Sequence, residues 1–220
     1  MKRTPLSLRL LPNYSQGEEI MNMVTHIVGA ALGIIALPLC LLRANDLTDV
    51  LGSIIYSLCM ITLYTMSSVY HGLRPGTAKK VMQVIDHCTI YLLIAGSYSA
   101  VILCALCKTH PSLGWGLLIF EWVLTCIAVT LTAIDLKKYE VFSMICYIGM
   151  GWAVIPFWRQ TLEALGAGGF WLLLSGGIAY TVGAVLYGLG VKMKWMHSVF
   201  HIFVVLGSLL QFLCIILYAL

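Results

Sequence analysis

Residues 195–218 read WMHSVFHIFVVLGSLLQFLCIILY and decide the fold class of the chain. The stretch contains no Asp, Glu, Lys or Arg. About 20 mostly apolar residues suffice for an α-helix to cross a membrane, so this stretch is typical of a transmembrane helix. The imidazole groups of His197 and His201 are exceptional in such a setting and indicate a structural or functional role.

The composition extends this conclusion to the whole chain. Hydrophobic residues make up 60% of its 220 residues and charged residues only 10%, whereas soluble domains carry about 25% charged residues. So few charges cannot cover a water-facing surface, and we expect lipid to surround the protein. The net charge of +4 is too small to suggest nucleic acid as a partner.

Seven segments have the length and composition of a membrane-spanning helix. They cover residues 24–42, 51–70, 84–107, 114–134, 141–158, 170–191 and 195–218. Short polar or glycine-rich stretches join them, such as the Gly-Ala-Gly-Gly sequence at 166–169, and these are typical of turns. The sequence predicts an all-α membrane protein with one domain, residues 1–220. That domain is a seven-helix transmembrane bundle, preceded by a short cytoplasmic segment, residues 1–18.

The basic residues are divided unequally between the two ends of the predicted helices. Ten lie at the N-terminus and in the stretches after helices two, four and six, whereas the opposite side has only Arg43, Lys108 and Arg159. Lys and Arg are enriched in cytoplasmic loops. The bias predicts a cytoplasmic N-terminus and an external C-terminus. We also expect the protein to lie in the cell membrane.

Three histidines are predicted to meet near the cytoplasmic face. His197 and His201 are four residues apart and share one helical face, and His71 ends the second helix at the same depth. Histidine pairs on a helix are often packing or hydrogen-bonding residues, but ionisable groups inside a membrane favour a function. We expect the three to bind zinc with a fourth position left open, although copper, nickel or iron also suits imidazole ligands.

Two further residues are candidate catalytic groups. Asp86 opens the third predicted helix beside His71, where its carboxylate can hydrogen-bond a water or orient a histidine. Ser67 lies one turn before His71 on the same face, so its hydroxyl faces the same pocket.

Two other polar features have alternative interpretations. Glu19, Asn22 and His26 form one stripe at the start of the first helix, which either anchors that helix at the membrane interface or forms a wall of the metal pocket. Glu121 lies nearer the outer side and either faces a cavity or reaches the interface. We assign Glu121 no part in the site.

Four motifs together resemble one protein family. They are Glu19-x-x-Asn22-x-x-x-His26, Ser67-x-x-x-His71, Asp86-His87 followed by Ile90-Tyr-Leu-Leu-Ile-Ala-Gly-Ser-Tyr98, and His197-x-x-x-His201. In this order they resemble the hemolysin III proteins, the bacterial branch of the progestin and adipoQ receptor family, which includes the adiponectin receptors. The resemblance runs from about residue 18 to the C-terminus, and the short loops are similar to those of bacterial members.

The resemblance implies a seven-helix bundle in which His71, His197 and His201 bind zinc. It also implies that Asp86 holds a water at the zinc, that Ser67 supports the site, and that His87 lies near the metal without binding it. The wider superfamily contains alkaline ceramidases, so the resemblance implies hydrolysis of a lipid amide or ester bond.

Three functions are compatible with these features. The leading hypothesis is a zinc-dependent hydrolase whose partner is a membrane lipid that enters sideways between helices. The second is a membrane sensor or receptor-like protein in which a structural zinc ties helices two and seven together. The third is a pore-forming hemolysin. The sequence disfavours a pore because the polar groups cluster at one end of the helices instead of following their whole length.

Overall fold

The computed structural model describes residues 4–220, apart from the side chain of Ser7, and contains no β-strand within that range. Seven main helices follow one another: α1 Gln16–Arg43, α2 Leu47–Gly72, α3 Thr77–Val101, α4 Pro111–Ile134, α5 Glu140–Gly151, α6 Trp158–Gly190 and α7 Met196–Cys214. The π-helical turns Ile102–Leu106 and Ile215–Ala219 extend α3 and α7, and short 3-10 helices lie at Leu6–Leu8 and Ile155–Phe157. Lys2 and Arg3, two of the ten basic residues counted above, lie outside the described residues.

Six helical stretches of the described chain are long and apolar enough to cross a membrane. They are Gln16–Arg43, Leu47–Gly72, Thr77–Thr109, Pro111–Ile134, Glu140–Gly190 and Met196–Ala219. Large apolar side chains face outward along them; for example, Ile34 is 60% exposed and Val141 is 73% exposed. Such a surface suits lipid and would be unfavourable in water. The chain is therefore an all-helical, multi-pass membrane protein.

Side-chain caps set the starts of the first two helices. At α1, Ser15 Oγ accepts a hydrogen bond from the Glu18 amide (3.3 Å), and Glu18 Oε2 accepts one from the Ser15 amide (2.9 Å). At α2, Asp46 Oδ1 accepts a hydrogen bond from the Asp49 amide (2.9 Å). These caps satisfy amides that have no partner within the helix. Both helices therefore begin several residues before the predicted starts at residues 24 and 51.

The region between α5 and α6 differs from the sequence prediction. The helix predicted over residues 141–158 ends at Gly151, followed by a turn at 152–154 and the 3-10 turn Ile155–Phe157. Pro156 has no amide hydrogen to donate to the Trp152 carbonyl, and that carbonyl instead accepts from the Ile155 amide (3.0 Å) in a tighter turn. The turn predicted at 166–169 is reduced to Gly166, whose φ of 67° and ψ of 172° interrupt α6. That backbone conformation is essentially restricted to glycine.

The packing order brings several helix ends together at the histidines. Helix α1 packs against α2 and α7, α2 packs against α3, α3 packs against α4 and α5, and α6 packs against α7. The hydroxyls of Tyr64 and Tyr180 both lie 2.7 Å from Ser208 Oγ, and these bonds join α2 and α6 to α7. As a result, the end of α2 lies beside the starts of α1, α3 and α7.

Helix α5 and the later part of α6 run in opposite directions. Tyr147 donates a hydrogen bond to the carbonyl of His87 (2.8 Å), and Tyr187 Oη lies 3.4 Å from Nε2 of the same residue. Trp152 Nε1 donates to Thr181 Oγ1 (3.0 Å). Residue 147 thus lies near residue 187, and residue 152 lies near residue 181. The two segments are antiparallel, so the chain reverses its direction between them.

We expect Gly166→Ala to lower the free energy of unfolding by about 1–3 kcal/mol, because a side chain is strained at this positive φ. Gly188→Ala is the matched control. Gly188 is helical and, like Gly166, has no atom within 4 Å of an added Cβ, so alanine there should be neutral or stabilising. Thermal unfolding in detergent measures both variants, and equal midpoints would contradict the assigned break.

Candidate metal centre

The structure brings the three predicted ligand histidines together. One ring nitrogen from each of His71, His197 and His201 lies within 4.8 Å of the others, and all three residues are buried. The ring centroid of His201 is 4.9 Å from that of His71 and 4.7 Å from that of His197. No other group of three or more His, Cys, Asp or Glu side chains is spaced this closely within residues 4–220.

His71, at the end of α2, has one engaged and one free ring nitrogen. Its Nδ1 lies 2.6 Å from Glu19 Oε2. Because a carboxylate oxygen accepts hydrogen bonds, Nδ1 carries the proton and donates it to Glu19. Its Nε2 is buried and has no hydrogen-bond partner among the described residues. A metal-binding histidine typically donates its other ring N–H to a carboxylate or a carbonyl. His71 therefore has the arrangement of a ligand that presents Nε2.

Helix α7 provides the other two imidazoles. Nε2 of His197 and Nε2 of His201 face each other at 3.1 Å. His201 Nδ1 lies 3.2 Å from the backbone carbonyl of Asn22, to which it donates. Ser198 Oγ donates to Asn22 Oδ1 (2.6 Å), so Asn22 fixes α7 against α1. His201 thus resembles His71, with Nδ1 held by α1 and Nε2 directed toward the other histidines.

This donor set fits a transition-metal ion. In the polypeptide alone, the facing Nε2 atoms of His197 and His201 can share only one proton, and the buried Nε2 of His71 has no partner. An unpaired buried polar atom costs about 1–3 kcal/mol. Imidazole nitrogen is a good ligand for zinc, copper, nickel and iron. A metal ion held by these three histidines would give the unpaired Nε2 of His71 a partner and would replace the single proton that His197 and His201 share.

The stripe of Glu19, Asn22 and His26 faces the histidines. Glu19 contacts His71, and Asn22 contacts His201, as described above. The His26 ring stacks on His201 with centroids 3.7 Å apart and 19° between the planes. Asn22 is 0% exposed and His26 is 4% exposed. These contacts favour a wall of the pocket over an anchor at the membrane interface.

Ser67 and Asp86, the candidate catalytic residues, line the same cavity as His197 and His201. Ser67 is buried, and its Oγ has no hydrogen-bond partner among the described residues. The Asp86 side chain is 14% exposed and lies outside the closely spaced histidine group. Its Oδ2 is 3.9 Å from His87 Nδ1, which instead donates to the carbonyl of Gln83 at 2.8 Å.

The cavity has a volume of about 1080 Å³. Its polar end contains His26, Ser67, Asp86, His197 and His201, and much of the remaining wall is apolar, with Leu63, Leu93, Ile94, Leu173 and Val204 among the lining residues. Ligand pockets typically measure about 300–1,000 Å³. The volume and lining suit a ligand that combines a polar group with a long apolar part.

Tyr14 also belongs to the site, although it is part of none of the motifs described above. Its ring stacks on His197 with centroids 4.7 Å apart and 22° between the planes, and it lines the cavity. Burial raises the pKa of the Tyr14 phenol, which therefore stays protonated. The only local signal is its position directly before Ser15, the residue that caps α1.

Two charged residues lie in places that the sequence did not indicate. Glu121 is 0% exposed, is not among the residues that line the cavity, and has no hydrogen-bond partner for either carboxylate oxygen among the described residues, so it does not reach the interface. Lys79 falls between the predicted helices 51–70 and 84–107, among the ten basic residues assigned to the cytoplasmic side, but it lies in the first turn of α3 and is 2% exposed. The loop assignment is wrong because α3 begins at Thr77, before the predicted start at residue 84.

Comparison with known proteins identifies the family. The model of the family described as "Haemolysin-III related" matches residues 14–212. The chain is 36% identical to Hemolysin-3 of Bacillus cereus over 206 residues, which cover 92% of each chain. It is 33% identical to the Hemolysin-3 homolog of Bacillus subtilis (strain 168) over 204 residues, which cover 91% of this chain and 94% of the relative.

A more distant relative is the human monocyte to macrophage differentiation factor, which is 23% identical over 209 residues that cover 90% of this chain and 83% of the human protein. The resemblance carried by the four sequence motifs is thereby confirmed. The chain belongs to the haemolysin III family.

Proposed function

We propose that this protein is a seven-span membrane hydrolase that uses zinc, held by His71, His197 and His201, to cleave an amide or ester bond of a membrane lipid. The observation that carries the proposal is the group of three buried histidines beside a cavity of about 1080 Å³ with one polar end and largely apolar walls. A buried metal site of this kind suits chemistry on a substrate that is itself mostly apolar.

The proposed count of seven spans rests on the stretch Glu140–Gly190. Its 51 residues would measure about 77 Å as one helix, far more than the roughly 30 Å hydrocarbon core of a bilayer. The break after Gly151, the break at Gly166, the Trp152–Thr181 hydrogen bond and the shared contact of Tyr147 and Tyr187 with His87 support two crossings. Together with the charge bias, seven crossings would give a cytoplasmic N-terminus and an external C-terminus in a bacterial cell.

Bound zinc would supply a Lewis acid that lowers the pKa of water and polarises a carbonyl group. The histidines would hold it through Nε2, with His71 and His201 oriented by Glu19 and by the Asn22 carbonyl. Zinc with three protein ligands is typical of catalytic sites, whereas structural zinc usually has four.

Two side chains that line the cavity would accept the proton and orient the reacting groups. Asp86, which is partly exposed to the cavity, would orient the attacking water and accept its proton. The unpaired hydroxyl of Ser67 is free to hydrogen-bond that water or the substrate carbonyl. Its hydrogen bond would orient the reacting groups at the polar end of the cavity.

The substrate would reach the site from the membrane. Its apolar chain would lie along the part of the cavity bounded by α5 and α6, where Trp152 and Thr181 meet in a hydrogen bond. Lateral entry between these helices would let the lipid avoid water.

We expect wild-type protein to bind about one zinc ion per chain and His197→Ala to bind it at least 100-fold more weakly, since even the loss of a residue behind a metal ligand costs about 10–100-fold in affinity. His110→Ala is the control, because His110 pairs with Glu163 and lies outside the histidine group. Metal analysis of the purified proteins measures the effect. Equal zinc content in wild type and His197→Ala would remove the basis of the proposal.

We expect Asp86→Asn to lower lipid turnover by about 10²–10⁴-fold while zinc content stays constant, because it removes the proton acceptor. Glu163→Gln changes an exposed carboxylate in α6 and should retain wild-type turnover. The assay follows the fatty acid released from labelled ceramides and phospholipids. No turnover by the zinc-loaded protein across this panel would refute the hydrolase function.

A structural zinc in a sensor or receptor-like protein is the second candidate. It is favoured by the placement of His71 on α2 and of the other two ligands on α7, since one ion would tie these helices together. If this function is correct, His71→Ala should greatly lower the thermal unfolding midpoint while the wild-type protein cleaves no lipid. Turnover that depends on Asp86 would exclude it.

The name hemolysin of the two Bacillus relatives suggests a third candidate, a membrane pore. The predominantly apolar lining of the cavity argues against a water-filled channel. Release of a dye from liposomes that contain the protein would support a pore, and intact liposomes would argue against it.

A further inference from the structure

Lys79 is a buried cation outside the four family motifs and outside the proposed chemistry. Its side chain is 3% exposed, although it lies in the first turn of α3, near the helix end. An ammonium group removed from water is unfavourable unless it is paired and hydrogen-bonded. The burial of Lys79 therefore depends on what its Nζ contacts.

Three acceptors surround the ammonium group. Nζ donates to Glu19 Oε1 (2.6 Å), to the carbonyl of Leu73 (3.0 Å) and to the carbonyl of His71 (3.5 Å). A lysine ammonium has three N–H donors, so the set is complete. The acceptors belong to α1 and to the end of α2, and Lys79 thus joins three helices at one point.

Glu19 is held at both of its carboxylate oxygens. Lys79 binds Oε1 and His71 Nδ1 binds Oε2, each at 2.6 Å. The Glu19 side chain is 19% exposed, so water is available to it if one of these partners is lost. Lys79 therefore restrains the carboxylate that fixes the ring orientation and the proton position of His71.

We propose that Lys79 is a positioning residue for the metal centre, which acts through Glu19 to direct Nε2 of His71 toward a divalent transition-metal ion. This inference rests on the proposed zinc site. Lys79 does not touch the ion; it keeps Glu19 on Nδ1, so that His71 presents its unprotonated Nε2 together with His197 and His201.

Electrostatics and positioning predict opposite effects of removing Lys79. A nearby positive charge repels a metal cation, so loss of the charge alone would tighten metal binding. Loss of a restraint on His71 would instead weaken metal binding. The sign of the change in zinc affinity therefore separates the two effects.

The test compares purified full-length variants by competition of Zn²⁺ with a chelator at one pH. We expect Lys79→Met to bind Zn²⁺ about 10–100-fold more weakly than wild type, as for other residues that support metal ligands. Lys79→Arg, which keeps the charge and the donors, should recover most of the affinity. Lys108→Met is the matched control, because Lys108 pairs with Asp46 and Asp49 at the other end of α2 and should leave zinc affinity unchanged.

The absorption spectrum of bound Co²⁺ gives a second readout, since a misdirected His71 should alter the ligand field in Lys79→Met and leave it unchanged in Lys108→Met. If Lys79→Met does not fold, Glu19→Gln tests the same restraint while the carbonyl acceptors of Lys79 remain, and it should also weaken Zn²⁺ binding. Unchanged or tighter Zn²⁺ binding in Lys79→Met, or unchanged binding in Glu19→Gln, would overturn the inference. Absence of zinc binding by the wild type would instead overturn the proposed zinc site itself.

Discussion

The buried imidazole groups of His71, His197 and His201 are the constraint on which the rest of this structure depends. Each has two polar nitrogens that need partners, because unpaired polar atoms are unfavourable in a bundle surrounded by lipid. Helix α1 supplies partners for two Nδ1 atoms, through the Glu19 carboxylate and the Asn22 carbonyl. This explains why α1 begins with polar residues and why it packs against both α2 and α7.

The same end of α1 also fixes the approach to α7. Glu18 caps α1 through Oε2 and accepts a hydrogen bond from the Trp195 amide through Oε1 (2.7 Å). Trp195 adopts a φ of 67°, the only positive φ of a non-glycine residue within residues 4–220. Strained backbone of this kind persists only where the surroundings hold it, and it is frequent next to functional sites. One carboxylate thus connects the start of α1 to the turn that places His197 and His201.

The predictable parts of the fold and the site were those with a periodic or topological signal. The i, i+4 spacing of His197 and His201 gave their shared face, and the alternation of helix direction placed His71 at their depth. Lys79 and Tyr14 could not be recognised, because their roles depend on contacts with Glu19 and His197 from other helices. Such contacts leave no periodic pattern in the sequence.

The glycines at 166–169 show a second limit of sequence reasoning. Gly166 marks the break, whereas Gly168 and Gly169 are helical, and an added Cβ at either would collide with the Tyr218 side chain. These two glycines provide room for a neighbouring ring, and a turn needs the same residue type for a different reason. Composition alone cannot separate the two uses.

The central claim is that three histidines of α2 and α7 hold one zinc ion. X-ray absorption spectroscopy at the zinc edge of the purified protein tests it most directly. The account predicts one zinc per chain with three imidazole nitrogens at about 2.0–2.1 Å and one further light-atom ligand. Sulfur ligands at about 2.3 Å, or fewer than three imidazoles, would contradict it.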